Sequence, residues 1–279
     1  MGEAPPSAKG REAIDEIDST VPHAARVYDY MLGGQTNFAV DREAAEQAAA
    51  LVGGMDRIRS EVRANRAFLG RAVRYLIREA GIRQFLDIGT GIPNADNVHA
   101  VALQEAPDVH VVYVDKDPVV LAHAHLLLKD APADSTTYIQ ADFRDPDDIV
   151  NRAAVLIDFS RPVAVMLVGL LHHFRDADEP ANLVARLLRR VPSGSYVVIS
   201  HLASDIHAEE YVEAGEALDE AMEEPLVLRT RDQVAAFLAG CELVEPGVVQ
   251  VDEWHPPANP PQTLEDWTNP LYAGVGRVP

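Results

Sequence analysis

Apolar and polar residues follow two different rhythms along this chain. Residues 21–82 carry the three-to-four-residue spacing of helices packed on one face. Pro22 can open a helix through Ala24, Val27, Tyr28 and Met31 that stops at Gly33-Gly34. Asp41 is read as the cap of an alanine-rich helix reaching about Val52, broken by Gly53-Gly54, and Asp56 as the start of a long helix ending near Gly81.

From residue 83 the rhythm shortens. Short apolar runs rich in β-branched residues lie at 84–88, 110–114, 136–140, 162–168 and 195–200, each ending in a turn or polar residue. Helical stretches separate them at 95–105, 118–129 and 179–191. Strand and helix repeated in this way predict a mostly parallel, doubly wound sheet with helices on both faces, a three-layer α/β fold. Two further helices follow at about 207–222 and 231–239. Extended stretches at 242–252 and 271–278, joined by a loop through Pro256 and Pro261, suit an antiparallel edge. The organisation expected is a flexible tail (1–20), a helical cap (21–82) and a sheet domain (83–279).

Composition narrows the chemistry. The chain has 279 residues, long enough to bury a core without staples, and its one cysteine, Cys241, cannot form an internal disulfide. Twenty-four basic against 44 acidic residues give a net charge of −20, which repels phosphate backbones and anionic membranes. Arg57, Arg59, Arg63, Arg66, Arg71 and Arg74 interleave with apolar residues and read as the solvated face of a packed helix. Neither a signal peptide nor a membrane-spanning run is visible, so a cytoplasmic protein with a small-molecule substrate, and neither nucleic acid nor membrane as partner, is expected.

In an open parallel sheet, ligands bind beyond the carboxyl ends of the strands. The first such end reads Asp87-Ile88-Gly89-Thr90-Gly91, and its glycines let a ligand approach the backbone closely. The dinucleotide fingerprint wants a third glycine where Asn94 stands. An acid followed by Gly-x-Gly suits a ligand with an amine and a cationic sulfur. Asp115 ends the next strand, 24 residues after Gly91, where a carboxylate can accept from both hydroxyls of a ribose. Asp117 is the reserve, more readily read as a helix cap. Asp142 follows the third strand, placed to accept from an adenine amino group, with Phe143 packing beside it.

Those three strand ends, Phe85–Gly91, Val112–Asp115 and Ala141–Phe143, resemble a class I S-adenosylmethionine-dependent methyltransferase over about 84–205. The whole chain is similar to a bacterial S-adenosyl methyltransferase family with no assigned substrate. The resemblance rests on Pro22–Gly34, Asn37-Phe38, Asp41-Arg42, Gly91-Ile92-Pro93 and Val168–Phe174. It implies a seven-stranded Rossmann-like sheet under an N-terminal helical cap, with S-adenosyl-L-methionine as cofactor.

On that reading the segment 23–38 is a lid, and Arg26 and Tyr28 join Asp87, Gly89, Gly91, Asp115, Asp142 and Phe143 as cofactor-binding residues. His172 stands where some small-molecule O-methyltransferases carry a basic histidine in Leu-His-Asp-Trp. Here the motif is Leu171-His172-His173-Phe174, without the aspartate. His201, after the fifth strand, is the second candidate base; for each of the two, a structural histidine hydrogen-bonded at its loop is the competing reading. His23 is placed just ahead of the cap helix. No metal site is expected: His172-His173 are adjacent, and His123 and His125 point to different helix faces. Trp254 and Trp267 are assigned to packing. Two rival readings stay open, a cofactor-binding protein without turnover and a nicotinamide dehydrogenase on the same sheet.

Overall fold

The computed structural model describes residues 18–92, 96–118, 120–121, 123, 135–222, 224–258 and 267–279. Most of the expected tail, Asn94, His125 and part of the proline-rich loop lie outside the described residues. Of the helix expected over 118–129, the described residues 118, 120, 121 and 123 are helical.

Three helices precede the sheet: α1 (Ala24–Leu32), α2 (Ala39–Leu51) and α3 (Met55–Arg78). Asp41 does not cap α2 from outside, as expected, but sits in its first turn. There its carboxylate accepts the N–H of Phe38, the true N-cap, at 2.7 Å. The same fully buried carboxylate accepts from His23 N (2.9 Å) and from Arg26 Nε (2.9 Å), tying the starts of α1 and α2 together.

Five parallel strands follow: β1 (Gln84–Ile88), β2 (His110–Asp115), β3 (Thr136–Gln140), β4 (Ala164–Val168) and β5 (Tyr196–Leu202). Between them run α4 (Val98–Glu105), α5 (Pro146–Ala153) and α6 (Pro180–Leu188). Helix α5 is absent from the sequence reading, although Asp145 caps it and Pro146 opens it; at eight residues its apolar stripe is short. After β5 come α7 (Ala208–Met222), α8 (Arg231–Ala236), β6 (Glu242–Leu243), β7 (Val249–Gln250) and β8 (Leu271–Arg277). Strand order is β3-β2-β1-β4-β5-β8, with β6 and β7 both on the outer side of β8. Eight strands therefore stand where seven were expected. The last strand position is divided by a turn in which Gly247 N donates to Val244 O at 2.8 Å, and Pro246 has no N–H for a ladder.

Side chains alternate across the sheet as strand geometry requires. Leu86, Ile88, Val112, Val114, Val165 and Leu167 face α5, α6 and α8. Phe85, Val111, Tyr113, Ala164 and Met166 face the opposite layer with Phe68, Leu76 and Trp254. Trp254 packs there as expected, its ring edge-on to Phe68 at 5.5 Å. A third core lies above the carboxyl edge of the sheet, where Val27, Met31, Ala45, Ala48 and Ile58 meet Leu218 and Met222. The long helix α3 thus serves two cores, its first half in the cap and its second half on the sheet. Helix α7 joins the cap core from the far side of the sequence, so that core extends beyond residues 21–82. No helix among the described residues is long and apolar enough to cross a membrane.

Candidate functional site

Strand order reverses between β1 and β4, and a cavity opens at their carboxyl ends, the place where such sheets bind ligands. Ile88, Gly89, Gly91, Val114 and Gly169 form its floor. The roof is the cap: His23, Tyr28 and Met31 from α1, and Glu61, Val62 and Asn65 from α3. Helix α7 closes one side with Tyr211, Leu218 and Met222.

The glycine turn is built as the sequence suggests. Gly89 has φ +72°, and a Cβ placed on it would lie 2.5 Å from Leu170 Cδ1, so a side chain there is strained and has to displace Leu170. Gly91 has φ +63° and open space where a Cβ would go, which leaves its backbone bare to the cavity. Its N–H donates to Asp115 Oδ2 at 3.0 Å, while Asp115 Oδ1 accepts from Asp117 N at 3.0 Å. Each carboxylate oxygen therefore keeps a lone pair for a ligand donor. Burial raises the Asp115 pKa, and the two backbone N–H groups oppose that rise.

The predicted cofactor residues do not all meet. Gly89, Gly91, Asp115, Asp142, Phe143 and Tyr28 line the cavity. Asp142 is partly exposed and accepts from Arg144 N at 2.8 Å; Phe143 is buried, edge-on to Phe174 at 5.4 Å. Tyr28 is held by Asn65 Nδ2 at 3.2 Å. Asp87 is buried at the end of β1 but is not among the lining residues. Burial pushes its pKa up to about 7, with Arg66 opposing and the Asp115 charge adding to the rise. Arg26 is displaced from the role given to it. Its guanidinium pairs with Asp41 and donates to Val21 O at 2.6 Å, because a buried guanidinium needs acceptors and the cap core offers these. It does not line the cavity.

The two candidate bases separate in the same way. His201 lies inside β5 rather than after it, because antiparallel β8 extends the strand and pairs His201 with Tyr272. Its Nδ1 faces Leu202 O at 2.8 Å and its Nε2 faces Arg229 Nη1 at 3.0 Å. Both nitrogens are engaged, the residue is fully buried and away from the cavity, and burial pushes its pKa down to about 3. It is a structural histidine. His172 does line the cavity, with Nδ1 buried and unpartnered. Burial, with the charges of His173, His201 and Arg229, holds its pKa well below the ordinary value, so it is a neutral imidazole at pH 7.

Several site residues were invisible to sequence reasoning. His23 stands just ahead of α1 as expected, as its N-cap, but its bridge to Asp117, Nε2 to Oδ2 at 3.2 Å, which joins the cap to the loop after β2, has no trace in the sequence pattern. Arg66, read as part of a solvated face, turns to the cavity and donates to Asn97 Oδ1 at 2.7 Å. Arg71 likewise turns inward to Trp254 O at 2.9 Å. Asn65 lines the cavity with its Oδ1 buried and unpartnered. Glu61 is 4% exposed, and its Oε1 accepts from the Tyr211 hydroxyl and from Trp267 Nε1, so Trp267 does more than pack.

The strand order, the glycine turn at the switch point and the acid ending β2 define a class I methyltransferase fold. Residues 10–279 match the family described as S-adenosyl methyltransferase, and the chain belongs to that family. It is similar to a DUF574-family protein from Streptomyces avermitilis, with 38% identity over 94% of this chain and 99% of that one and a TM-score of 0.87. A candidate methyltransferase from Thermobifida fusca is also 38% identical, over 92% of this chain and 95% of that one, with a TM-score of 0.83. A mitomycin 7-O-methyltransferase shares the fold at 14% identity, over 96% of this chain and 75% of that one, with a TM-score of 0.52. No curated protein matches the chain.

Proposed function

We propose that this protein is an S-adenosylmethionine-dependent methyltransferase acting on a small-molecule acceptor. One observation carries the reading: the bare backbone of Gly89–Gly91 and the carboxylate of Asp115 share one wall of a cavity roofed by the cap. S-Adenosylmethionine supplies a methyl group on a cationic sulfur. The residues present suit that molecule. Asp115 has lone pairs for two ribose hydroxyls, and Asp142 with Phe143 offers an acceptor and an apolar surface for adenine. The unpartnered Asn65 Oδ1 and the Arg66 guanidinium suit the ammonium and carboxylate of its amino-acid end. The roof favours a small acceptor, since α1, α3 and α7 enclose the space a polymer would need. A protein held in alignment with its substrates can accelerate displacement without strong acid–base help.

The test is calorimetric titration of the protein with S-adenosylhomocysteine. Binding in the micromolar range is expected, and Asp115→Ala should weaken it by roughly tenfold to a hundredfold, the loss of hydrogen bonds to a charged group. Unchanged affinity in that variant would remove Asp115 from the site.

A further inference from the structure

The cavity has a second end. Beyond Tyr28 and Asn65 its walls are apolar: Met31, Val52 and Ile58 from the cap helices, and Leu218 and Met222 from α7. Of the other carboxyls lining the cavity from the cap side, Asp29 accepts from Thr36 N and Asn37 Nδ2 and Glu224 pairs with Lys116, whereas Glu61 stands among these apolar residues. Glu61 is nine-tenths buried, and leaving a carboxyl in such a place is costly unless it is hydrogen-bonded. A carboxylate kept for structure would engage both oxygens. Here Tyr211 and Trp267 both donate to Oε1, no described residue donates to Oε2, and Glu61 is one of the residues that line the cavity. Glu61 lies one helical turn before Asn65, about 6 Å along α3, and Asn65 Nδ2 lies 3.5 Å from a Cβ placed on Gly169 at the end of β4. The carboxyl therefore sits one turn above the sheet edge. The neighbouring charge is positive: the Arg57 guanidinium lies 4.1 Å from the Trp267 ring centroid, on the ring that serves Glu61. With that charge already opposing the carboxylate and apolar walls around it, the site offers a charged ammonium little solvation, whereas a neutral O–H needs only the one acceptor.

We infer that Glu61 receives the methyl acceptor, and that the acceptor is a neutral, apolar hydroxyl compound of phenol class whose O–H is held by Glu61 Oε2. This rests on the methyltransferase reading above. The apolar sleeve takes the ring, and Tyr211 and Trp267 fix the rotamer of the carboxylate. An oxygen lone pair of the acceptor forms the new O–CH3 bond as the S–CH3 bond of S-adenosylmethionine breaks with its pair left on sulfur, giving neutral S-adenosylhomocysteine; the O–H pair stays on oxygen and the proton passes to Glu61 Oε2 to give the carboxylic acid. This places proton acceptance on the cap, opposite the histidines at the sheet edge.

2-Naphthol is the probe, an apolar ring with one hydroxyl whose fluorescence distinguishes the neutral from the ionised form. The full chain and Glu61→Gln are titrated first with S-adenosylhomocysteine and then, saturated with it, with 2-naphthol. The amide keeps an oxygen for Tyr211 and Trp267, so both proteins should bind S-adenosylhomocysteine equally. Glu61→Gln should bind 2-naphthol at least about tenfold more weakly and lose the naphtholate emission expected from the unmodified chain. Should Glu61→Gln fail to fold, Leu218→Phe narrows the sleeve without touching the carboxyl and should weaken 2-naphthol by about threefold or more. Normal S-adenosylhomocysteine binding, with 2-naphthol either absent from the unmodified chain or unaffected by both variants, overturns the assignment of Glu61 and leaves the cofactor reading standing. No S-adenosylhomocysteine binding by the unmodified chain overturns both.

Discussion

The sheet and the cap treat buried polarity in opposite ways. Strands β1, β2, β4 and β5 are apolar along most of their length, with Asp87 and Asp115 near the carboxyl ends of β1 and β2 and Asp142 just beyond β3. The cap buries Arg26, Asp29, Asp41, Glu61 and Asn65 within its helices, and the apolar residues that α2 buries are all alanine. A sheet satisfies its backbone internally and needs only apolar side chains to pack. Alanine-rich helices bury little area per residue, so the cap depends on specific polar links for its shape. The physical lesson is a division of labour. The rigid layer offers backbone and a carboxylate, and the more loosely built layer encloses the space above them.

The sharpest way to separate the two is to break the cap's central link. Asp41→Ala strands Arg26 and leaves the N–H groups of His23 and Phe38 without their acceptor. The expected loss is about 3–5 kcal/mol in denaturant unfolding. Hydrogen exchange should show α1 and α2 losing protection while β1, β2 and β4 keep theirs. Equal loss in both layers would make cap and sheet one cooperative unit.

A smaller effect is expected at the sheet edge. Gly89→Ala combines φ +72° with a contact to Leu170, and should cost about 1–3 kcal/mol. Gly91→Ala meets no atom within 4 Å, and should cost about 1 kcal/mol while its methyl intrudes on the cavity. The expected pattern is that Gly89→Ala harms thermal stability more and Gly91→Ala harms S-adenosylhomocysteine affinity more. The reverse pattern would misplace the bare backbone.

The pH dependence tests the cap's carboxyl. Burial lifts the Glu61 pKa from 4.5 to about 7, against the pull of its Tyr211 and Trp267 hydrogen bonds and of Arg57. The folded state then binds the proton more tightly than the unfolded chain. Glu61 therefore contributes stability that is fully present below pH 4.5 and is lost as pH rises through about 7. Asp87, lifted from 3.8 to about 7, acts in the same direction from the sheet side. Thermal scans between pH 5 and 8 should show a shallower fall for Glu61→Gln than for the unmodified chain, and parallel curves would mean an ordinary Glu61 pKa. The smallest effect belongs to Asp142, which is partly exposed: Asp142→Asn should leave stability within about 0.5 kcal/mol by denaturant unfolding.

The chain's own pattern makes the parallel sheet legible, because most of its strands are short apolar runs that end where a turn residue stands. It determined the glycine turn and Asp115 too, since those depend on residues a few positions from a strand end. Tertiary structure alone decided the rest. His201 became a core residue because β8, seventy residues later, extends β5 past the end of the apolar run. Arg26 turned from ligand to brace because Asp41 lies beside it. Glu61, Tyr211 and Trp267 come from three distant segments, and no local rhythm records that helices α3 and α7 bring them together. Local pattern reports what a residue's neighbours in the chain require. Burial and hydrogen-bond partners across 150 or 206 residues are settled only when the layers close.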